Sequence, residues 1–229
     1  MKTRITKFLI VAVVVLLGNV LKTSAQLVTP ATAGVTLMCS DSPLDFGAPD
    51  PNTTWIVRYS PTSTTTPNTG VTLTGNTVAA ADLQTGYYYL ISKGTAVGSC
   101  ESLPQEIPVY KFAPIAAAFT FLDYCSENAA ASAFAGSAVS TDAVNTFAYQ
   151  WYTVAATVAT PIPGATSASY TPTLLNETTS DITTTYRLQV GYLLNGNKYC
   201  GTFIDHDVKV LAKAVKPTVT VTPAAPGTW

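Results

Sequence analysis

The sequence has few charged residues, one histidine and no second long apolar run after its N-terminal segment, and each shortage excludes a class of protein. Charged residues make up 11% of the 229 residues, against roughly 25% in an average soluble domain. The formal net charge is −1, so the chain lacks the electrostatic footprint of a protein that binds nucleic acid or an anionic membrane surface. One histidine and the absence of a Cys-x-x-Cys pair argue against a zinc site. We therefore expect no nucleic-acid partner, no metal and no cofactor.

The usual motifs of catalytic sites are also missing. The sequence contains no Gly-x-Ser-x-Gly elbow and no phosphate-binding glycine loop. Any Ser-His-Asp arrangement would depend on His206, the one histidine. A glycosidase needs only two carboxylates, and 13 Asp and Glu residues are present. A hydrolase is therefore a third-ranked hypothesis, and we predict that the protein is not an enzyme.

The first residues have the three-part layout of a secretory signal peptide. Lys2 and Arg4 give a positive start, residues 8–17 are uninterruptedly apolar, and small residues lead to Ala25. We predict that residues 1–25 are a signal peptide cleaved after Ala25, which makes the protein secreted or attached to the cell surface. An uncleaved N-terminal anchor is the alternative, although the apolar run is short of the ~20 residues that a membrane span needs. We expect no stable membrane span after cleavage.

The remaining chain is rich in residues that favour β structure. Hydrophobic residues make up 47% and aromatic residues 10% of the sequence, which argues against disorder. Extended segments alternate polar and apolar residues, with many Thr and Val. No segment combines sustained helical periodicity with helix caps. The composition therefore predicts an all-β protein.

The order of cysteines and tryptophans divides the chain into two similar halves. The shared order is Cys39, Trp55 and Cys100 in the first half, and Cys125, Trp151 and Cys200 in the second. Four cysteines allow three pairings, and export to an oxidising compartment favours disulfides. The repeat favours the pairings Cys39–Cys100 and Cys125–Cys200, one in each half. We predict that all four cysteines form disulfides.

Each half is predicted to consist of about seven short strands separated by turn signals, which is typical of a β-sandwich. The strongest strand patterns cover residues 53–60, 147–154 and 183–194. Residues 195–197, Asn-Gly-Asn, are a hairpin signal. We expect one sandwich over residues 26–112 and a second over residues 113–212, with a tight boundary between them.

Residues 213–229 extend beyond the second predicted sandwich. Residues 218–222 alternate Thr and Val between two prolines. This segment is either an extended Pro-rich tail or the first strand of a further repeat. As an extended strand, it could also add to the sheet edge of a neighbouring molecule.

Two stretches of the second half carry a resemblance to a known family. The segment Tyr149-Gln150-Trp151-Tyr152 and the following Gly164-Ala165-Thr166-Ser167-Ala168-Ser169-Tyr170 resemble tandem immunoglobulin-like (Ig-like or PKD-like) modules of bacterial secreted and cell-surface proteins. The resemblance implies tandem Ig-like antiparallel β-sandwiches that act as non-catalytic spacers, adhesive units or binding units. Cys200 follows the Asn195-Gly196-Asn197 turn, so its disulfide is not expected to be the bridge between sheets found in antibody domains.

Four aromatic residues are predicted to fill the cores: Trp55, Trp151, Tyr88 and Tyr186. Tyr149 and Trp151 share one face of a strand, and a large aromatic residue centred on such a face suits a sandwich core. The alternative for Trp151 is a platform on which a sugar stacks. Tyr87, Tyr88 and Tyr89 are consecutive, so alternation predicts that at least one of them faces solvent.

Other polar positions give weaker signals. Alternation places Asp205 and Asp207 on one face and His206 on the other, and we expect a solvated surface there instead of a metal site. Asp41 and Asp45 are too few for the 6–8 oxygens of a calcium site. Asn52 and Asn176 begin Asn-x-Thr sequences that match a glycosylation pattern, and the alternative for each is a plain surface loop.

These observations predict an extracellular structural or adhesive Ig-like protein that acts by surface contact without catalysis. Its partner would be a protein or a glycan at the cell surface. The second hypothesis is a carbohydrate-binding accessory module of a secreted enzyme or surface complex, which would use exposed tyrosines.

Overall fold

The computed structural model describes residues 26–221, and the predicted signal peptide and residues 222–229 lie outside them. The described chain is almost entirely β structure with one short 3₁₀ helix, Ser126–Ala131. The strands are β1 (Thr36–Met38), β2 (Leu44–Asp45), β3 (Thr53–Ser60), β4 (Thr69–Val71), β5 (Thr77–Val78), β6 (Gly86–Gly94), β7 (Gln105–Lys111), β8 (Ala116–Thr120), β9 (Phe134–Val139), β10 (Phe147–Ala155), β11 (Val158–Pro161), β12 (Ser169–Tyr170), β13 (Ile182–Leu194) and β14 (Asn197–Val210).

The described chain divides into two compact units, with the division in the sequence between Phe112 and Ala113. We call residues 26–112 the first unit and residues 113–221 the second unit. Each unit has a larger and a smaller sheet, and nearly all neighbouring strands are antiparallel. The predicted fold class, all-β with Ig-like sandwiches, is confirmed.

The first unit has a five-stranded sheet in the order β1-β7-β6-β3-β4 and a two-stranded sheet of β2 and β5. Strand β1 pairs with β7 in parallel, and the other pairs are antiparallel. One cluster of its buried residues contains Leu44, Val57, Val78, Leu83, Tyr88 and Val109. Other buried residues of this unit are Val28, Tyr87, Tyr89, Ile91, Tyr110 and Phe112.

The second unit has a four-stranded sheet in the order β11-β10-β13-β14 and a three-stranded sheet in the order β12-β9-β8. Its core contains Phe119, Tyr124, Ala129, Phe134, Trp151, Tyr186, Leu188, Val190, Val208 and Val210. The ring of Trp151 is 5.0 Å from that of Phe119 and 5.8 Å from that of Phe134, with edge-on or tilted packing. Phe119 and Phe134 come from the smaller sheet, so that sheet closes the aromatic core.

The turn between β13 and β14 follows directly from the sequence. Asn195 and Gly196 both have positive φ angles, 50° and 80°, as a type I′ hairpin requires. Farther from the turn, the pairing of the two strands shifts between Val190 and Tyr192 of β13. Opposite this shift, Cys200 of β14 has a φ of 53°. This β-bulge lets the long hairpin accommodate one extra residue on β14.

The two tryptophans do not occupy equivalent positions. Trp151 lies opposite Leu188, which is two residues after Tyr186. In the first unit, the residue two positions after Tyr88 is Leu90, and it lies opposite Val57. Trp55 lies two residues before Val57, close to the start of β3. The repeat of Cys–Trp–Cys in the sequence therefore aligns the tryptophans two residues out of register.

As a result, the prediction that Trp55 is a core residue is wrong. Trp55 is half-buried, and its indole Nε1 donates a hydrogen bond of 3.0 Å to the carbonyl of Gly47 in the preceding loop. Val57 takes the central core position of β3. The other three predicted aromatic residues are almost completely buried: Trp151, Tyr88 and Tyr186.

The expectation that one of the consecutive tyrosines faces solvent is also wrong. Tyr87, Tyr88 and Tyr89 are all buried. The backbone N–H of Thr64 donates to the Tyr89 hydroxyl at 2.7 Å, and that hydroxyl donates to Glu106. The loop after β3 thus reaches the outer face of β6, which alternation alone assigned to solvent.

The predicted disulfide pairing within each half is wrong. Cys100 and Cys125 have free thiols, and the disulfide-bonded cysteines are Cys39 and Cys200. Met38 pairs with Lys111, the last residue of β7, so Cys39 lies at the C-terminal end of that strand. Cys100 lies at the opposite end, before the start of β7. Because β7 has seven residues, it separates the two by about 20 Å, far beyond the ~7 Å limit for the Cα atoms of a disulfide.

The second unit separates its cysteines in the same way. Tyr124, next to Cys125, bridges to Val210 at the end of β14. Cys200 lies near the hairpin at the opposite end of that strand. At about 3.3 Å per residue the separation is about 30 Å. In both units the strand register, which the spacing along the sequence does not reveal, excludes the predicted pairing.

Candidate functional site on the outer face of the second unit

The candidate site lies on the face of the four-stranded sheet that points away from the core. Trp151 and Leu188 pair across β10 and β13 and point inward. Side chains alternate between the two faces of a strand, so the neighbouring pair of Tyr152 and Arg187 points outward. The outer face therefore presents polar and aromatic side chains on a rigid, well-packed sheet.

A charged and aromatic cluster stands at the centre of this face. Arg187 donates from Nε and Nη2 to the two carboxylate oxygens of Asp205, at 2.7 and 2.8 Å. The guanidinium carbon lies 3.8 Å from the centre of the Phe203 ring. Phe203 is 56% exposed, so the ring is held in place while its other face remains accessible. We call these three residues the Arg187 cluster.

The ion pair shifts both pKa values. Hydrogen bonding to Asp205 raises the pKa of Arg187, and hydrogen bonding from Arg187 lowers the pKa of Asp205. Both residues therefore keep their charges throughout the neutral pH range. The fork of the guanidinium is fixed by two bonds and stacked on an aromatic ring, a geometry that lysine cannot reproduce.

Next to the cluster lies a groove with a volume of about 300 Å³. Its floor includes Gly191 and Gly201, where any side chain would be crowded. A Cβ on Gly191 would lie 2.9 Å from the carbonyl of Tyr199, and one on Gly201 would lie 3.1 Å from Nε2 of Gln189. The groove thus exists because two glycines occupy adjacent outward positions.

Tyrosine and glutamine side chains line the groove. The hydroxyl of Tyr152 donates to Oε1 of Gln189 at 2.7 Å. Gln150 donates from Nε2 to the carbonyls of Trp151 and Ile162, both at 2.9 Å. Tyr149, Tyr199 and Lys198 also border the groove; Tyr149 shares the inward face of β10 with Trp151 and packs against the core, so Tyr152 is the tyrosine of β10 on the outer face. The lining combines aromatic surface with amide and hydroxyl groups, and no residue of the described part of the chain that lines the groove is a carboxylate, a chemistry that suits polyhydroxylated or peptide groups.

The alternation predicted for residues 205–207 is confirmed. Asp205 bonds to Arg187 and Asp207 accepts from Thr185 on the outer face. His206 points the other way, with its ring 4.6 Å from that of Phe119. The two carboxylates are used in contacts within the sheet, and the histidine packs against the core.

No cluster of three or more metal-ligating side chains occurs within residues 26–221. Asp45, one of the two carboxylates considered for calcium, accepts the backbone N–H of Gly47 at 2.8 Å. Within the same residues, no helix is long and apolar enough to cross a membrane.

The two potential glycosylation sites differ sharply. Asn176 is completely buried, and its side-chain nitrogen donates to the carbonyls of Ser180, Val210 and Leu211. Its amide is therefore part of the folded core, and neither the glycosylation nor the surface-loop interpretation applies. Asn52 is exposed, and its glycosylation stays a prediction.

The Arg187 cluster and the groove were not predicted from the sequence, although part of the signal was present. Phe203 alternates with Asp205 and Asp207 along β14, so it could have been placed on the same face. Its contact with Arg187 depends on the register between β13 and β14. The groove depends on pairing two glycines from different strands, which the sequence does not predict.

Among known proteins, the chain is similar to solved structures at low sequence identity. No family model matches the chain, and no curated protein matches it. Among solved structures, the fibronectin(III)-like modules of Clostridium thermocellum CbhA are 9% identical, with a TM-score of 0.35 over 82% of this chain and 94% of that one. The amphioxus IgVJ-C2 molecule is 13% identical, with a TM-score of 0.27 over 76% of this chain and 99% of that one.

Proposed function

We propose that the protein is an extracellular, non-catalytic structural module that makes adhesive contact with a protein through the outer face of the second unit. The Arg187 cluster is the observation that supports this function. Aromatic and arginine side chains dominate the binding energy of protein interfaces, and here they are held in one conformation before any partner arrives. A contact surface that is already ordered loses less conformational entropy on binding.

The proposed location is secreted or at the cell surface. The predicted signal peptide and the disulfide-bonded cysteines support it, because disulfides persist in oxidising compartments. Fractionation of the producing cells tests this location, with the protein detected on a non-reducing gel. Retention of the whole protein in the cytosolic fraction would contradict it.

Adhesion is tested with beads that carry the purified chain and are applied to the surface of the producing cells. We expect Phe203→Ala to reduce bead attachment at least about tenfold, the effect of losing ~1.4 kcal/mol of binding free energy. Leu122→Ala is the matched control, because Leu122 is also an exposed apolar residue of the second unit. Equal attachment by the two variants would contradict the assignment of the Arg187 cluster as the contact surface.

Carbohydrate binding is the second candidate function, and the groove is the observation that favours it. Tyrosine rings provide faces on which sugars stack, and the glutamine amides can bond to hydroxyl groups. The lining residues within 26–221 include no carboxylate, which favours neutral polysaccharides over cationic ligands.

A panel of soluble glucan, xylan and mannan in affinity electrophoresis tests this second candidate. Gly201→Ala would place a methyl group 3.1 Å from Nε2 of Gln189, so it should narrow the groove and abolish retardation. Phe203→Ala lies outside the groove and should leave retardation unchanged. The two substitutions therefore separate protein contact from glycan binding, and retardation that survives Gly201→Ala would exclude the groove.

A further inference from the structure

The smaller sheets of the two units differ by one strand. In the second unit, β8 pairs with β9 over five residues, from Ala116 opposite Val139 to Thr120 opposite Ala135. In the first unit the corresponding sheet contains only β2 and β5. Within residues 26–221, no named strand pairs with β2 on the side away from β5.

Corresponding hydrogen bonds in the two units identify the residues of the first unit that are equivalent to β8. The N–H of Phe112 donates to the carbonyl of Met38 at 2.9 Å, and the N–H of Leu211 donates to the carbonyl of Tyr124 at 2.8 Å. Met38 and Tyr124 are thus equivalent. Strand β8 lies four to eight residues before Tyr124, and the residues four to eight before Met38 are 30–34.

Residues 30–34 cannot serve as this strand because they form turns. Their sequence is Pro-Ala-Thr-Ala-Gly. The N–H of Thr32 donates to Thr29 at 3.0 Å, and that of Val35 donates to Thr32 at 3.1 Å. Gly34 has a φ of 69°, outside the extended region. The first unit therefore lacks its own equivalent of β8.

The chain also has a segment with the pattern of β8 and no sheet of its own. Residues 212–221 lie in no strand, and Val219 and Val221 are 78% and 80% exposed. Thr218, Val219, Thr220 and Val221 alternate as β8 does, where Ala117 and Phe119 point inward and their neighbours are exposed. The segment also follows the last strand of a unit, as β8 follows β7.

We propose that Thr218–Val221 of one copy adds as a strand to the free edge of β2 in the first unit of a second copy. The added strand would occupy the position that β8 has in the second unit, and its Val219 and Val221 would become buried. The backbone N–H and C=O groups of Leu44 and Phe46 point toward β5. Because these groups point to opposite sides in successive residues of a strand, those of Asp45 point toward the free edge and can form hydrogen bonds with the added strand.

This mode of association predicts open-ended assembly. Each copy has one donor segment and one acceptor edge, and these are different surfaces, so contacts are heterologous and continue from copy to copy unless a ring closes. The inference does not depend on the proposed adhesive function, because it uses neither the Arg187 cluster nor the groove.

Analytical ultracentrifugation of the purified chain over a concentration series is the first test. We expect the mass to rise with concentration to multiples of the monomer. The double substitution Val219→Asp and Val221→Asp places charges in the apolar position, so it should raise the apparent Kd at least about tenfold. Val215→Asp is the matched control, because Val215 is equally exposed and precedes the alternating segment.

A mixing experiment then tests the acceptor. Asp45→Pro removes the backbone donor at the free edge of β2, so this variant keeps only the donor segment. The Val219→Asp, Val221→Asp chain keeps only the acceptor. Each variant alone should be monomeric, and an equimolar mixture should stop at a heterodimer.

A competition experiment covers the case in which Asp45→Pro fails to fold. A synthetic peptide of residues 214–223 should dissociate the assemblies of the unmodified chain, and a scrambled peptide of the same composition should not. A chain that remains monomeric at all concentrations would overturn the proposal. Equal weakening by Val215→Asp and by the double substitution would also overturn it.

Discussion

The two units differ in the side chain at the centre of the larger sheet. In the second unit this position holds Trp151, packed among other aromatic residues, whereas in the first unit it holds Val57, in a cluster whose aromatic member is Tyr88. Tyr87 and Tyr89 of the first unit are also buried, on the other face of β6. In the second unit, Phe119 and Phe134 stand on the three-stranded sheet and pack around Trp151. The first unit has no strand equivalent to β8 and a valine at the position of Trp151. A large central aromatic residue therefore goes together with a complete second sheet that can cover it.

Replacement of the tryptophans should show this difference most strongly. Trp151→Ala should lower the free energy of unfolding of the second unit by about 3–5 kcal/mol, because it leaves a large cavity and the carbonyl of Ser167 loses its indole donor. Trp55→Ala should cost the first unit only about 1–2 kcal/mol, since Trp55 is half-buried. Calorimetry of both variants measures the two transitions. Equal losses would show that the tryptophans are equivalent after all.

The two asparagines of the Asn-x-Thr sequences provide the next test. Asn176→Ala should destabilise the second unit by about 2–3 kcal/mol, because buried carbonyls at the end of β14 lose their donor. Asn52 is exposed and has a φ of 62°, so Asn52→Gly should change the stability of the first unit by less than about 0.5 kcal/mol. Urea unfolding followed by circular dichroism checks both. A small effect at Asn176 would mean that water replaces its amide.

Alkaline pH should distinguish the units through their buried tyrosines. Burial raises the pKa of four tyrosines in the first unit and three in the second: Tyr59, Tyr87, Tyr88 and Tyr89, and Tyr124, Tyr186 and Tyr192. The folded state keeps these hydroxyls protonated where the unfolded state ionises. Their stabilising effect is therefore present below about pH 10 and is lost as the pH rises toward the folded-state values.

We expect the first unit, in which the consecutive Tyr87, Tyr88 and Tyr89 are all buried, to unfold at the lower alkaline pH. Tyrosinate absorbance should rise together with the loss of β-sheet signal in circular dichroism. Tyr88→Phe should reduce the pH dependence of the first unit and leave that of the second unchanged. Ionisation of all tyrosines before any loss of sheet structure would contradict this expectation.

The smallest expected difference concerns the surface ion pairs. Arg187 and Asp205 bond through two nitrogens, whereas Arg58 reaches Glu101 through one at 3.2 Å. Exposed pairs contribute little, so Asp205→Asn should lower Tm by about 2 °C and Glu101→Gln by less. Because the pKa of Asp205 is lowered in the folded state, its contribution is present above its ordinary pKa and is lost as the pH falls. High salt should reduce both effects, and a salt-independent loss would indicate packing instead of charge.

Local patterns were sufficient to predict the main strands. The stretch 53–60 is β3 in its full length, and 147–154 and 183–194 match β10 and β13 to within one residue. The Asn-Gly-Asn hairpin forms where the sequence placed it. These features depend on residue type and on contacts between near neighbours, which a single sequence displays directly.

The candidate site was only partly predictable for the opposite reason. Alternation alone places Phe203 and Asp205 on one face of β14, but their contact with Arg187 depends on the register of a partner strand. The groove depends on Gly191 and Gly201 lying side by side across two strands. The free edge of β2 depends on a turn at residues 30–34 that interrupts one strand of a repeated pattern.

Residue patterns are sufficient to predict the β class, the alternation of faces and the turn at residues 195–197, because periodicity and turn chemistry act within a few residues. Long-range strand pairing determines which tryptophan fills a core, why Cys100 and Cys125 keep free thiols, and which of the smaller sheets has two strands instead of three. Each of these depends on the register between strands distant in sequence. A shift of two residues, as between Trp55 and Trp151, preserves the alternation but changes which side chain lies at the centre of the sheet.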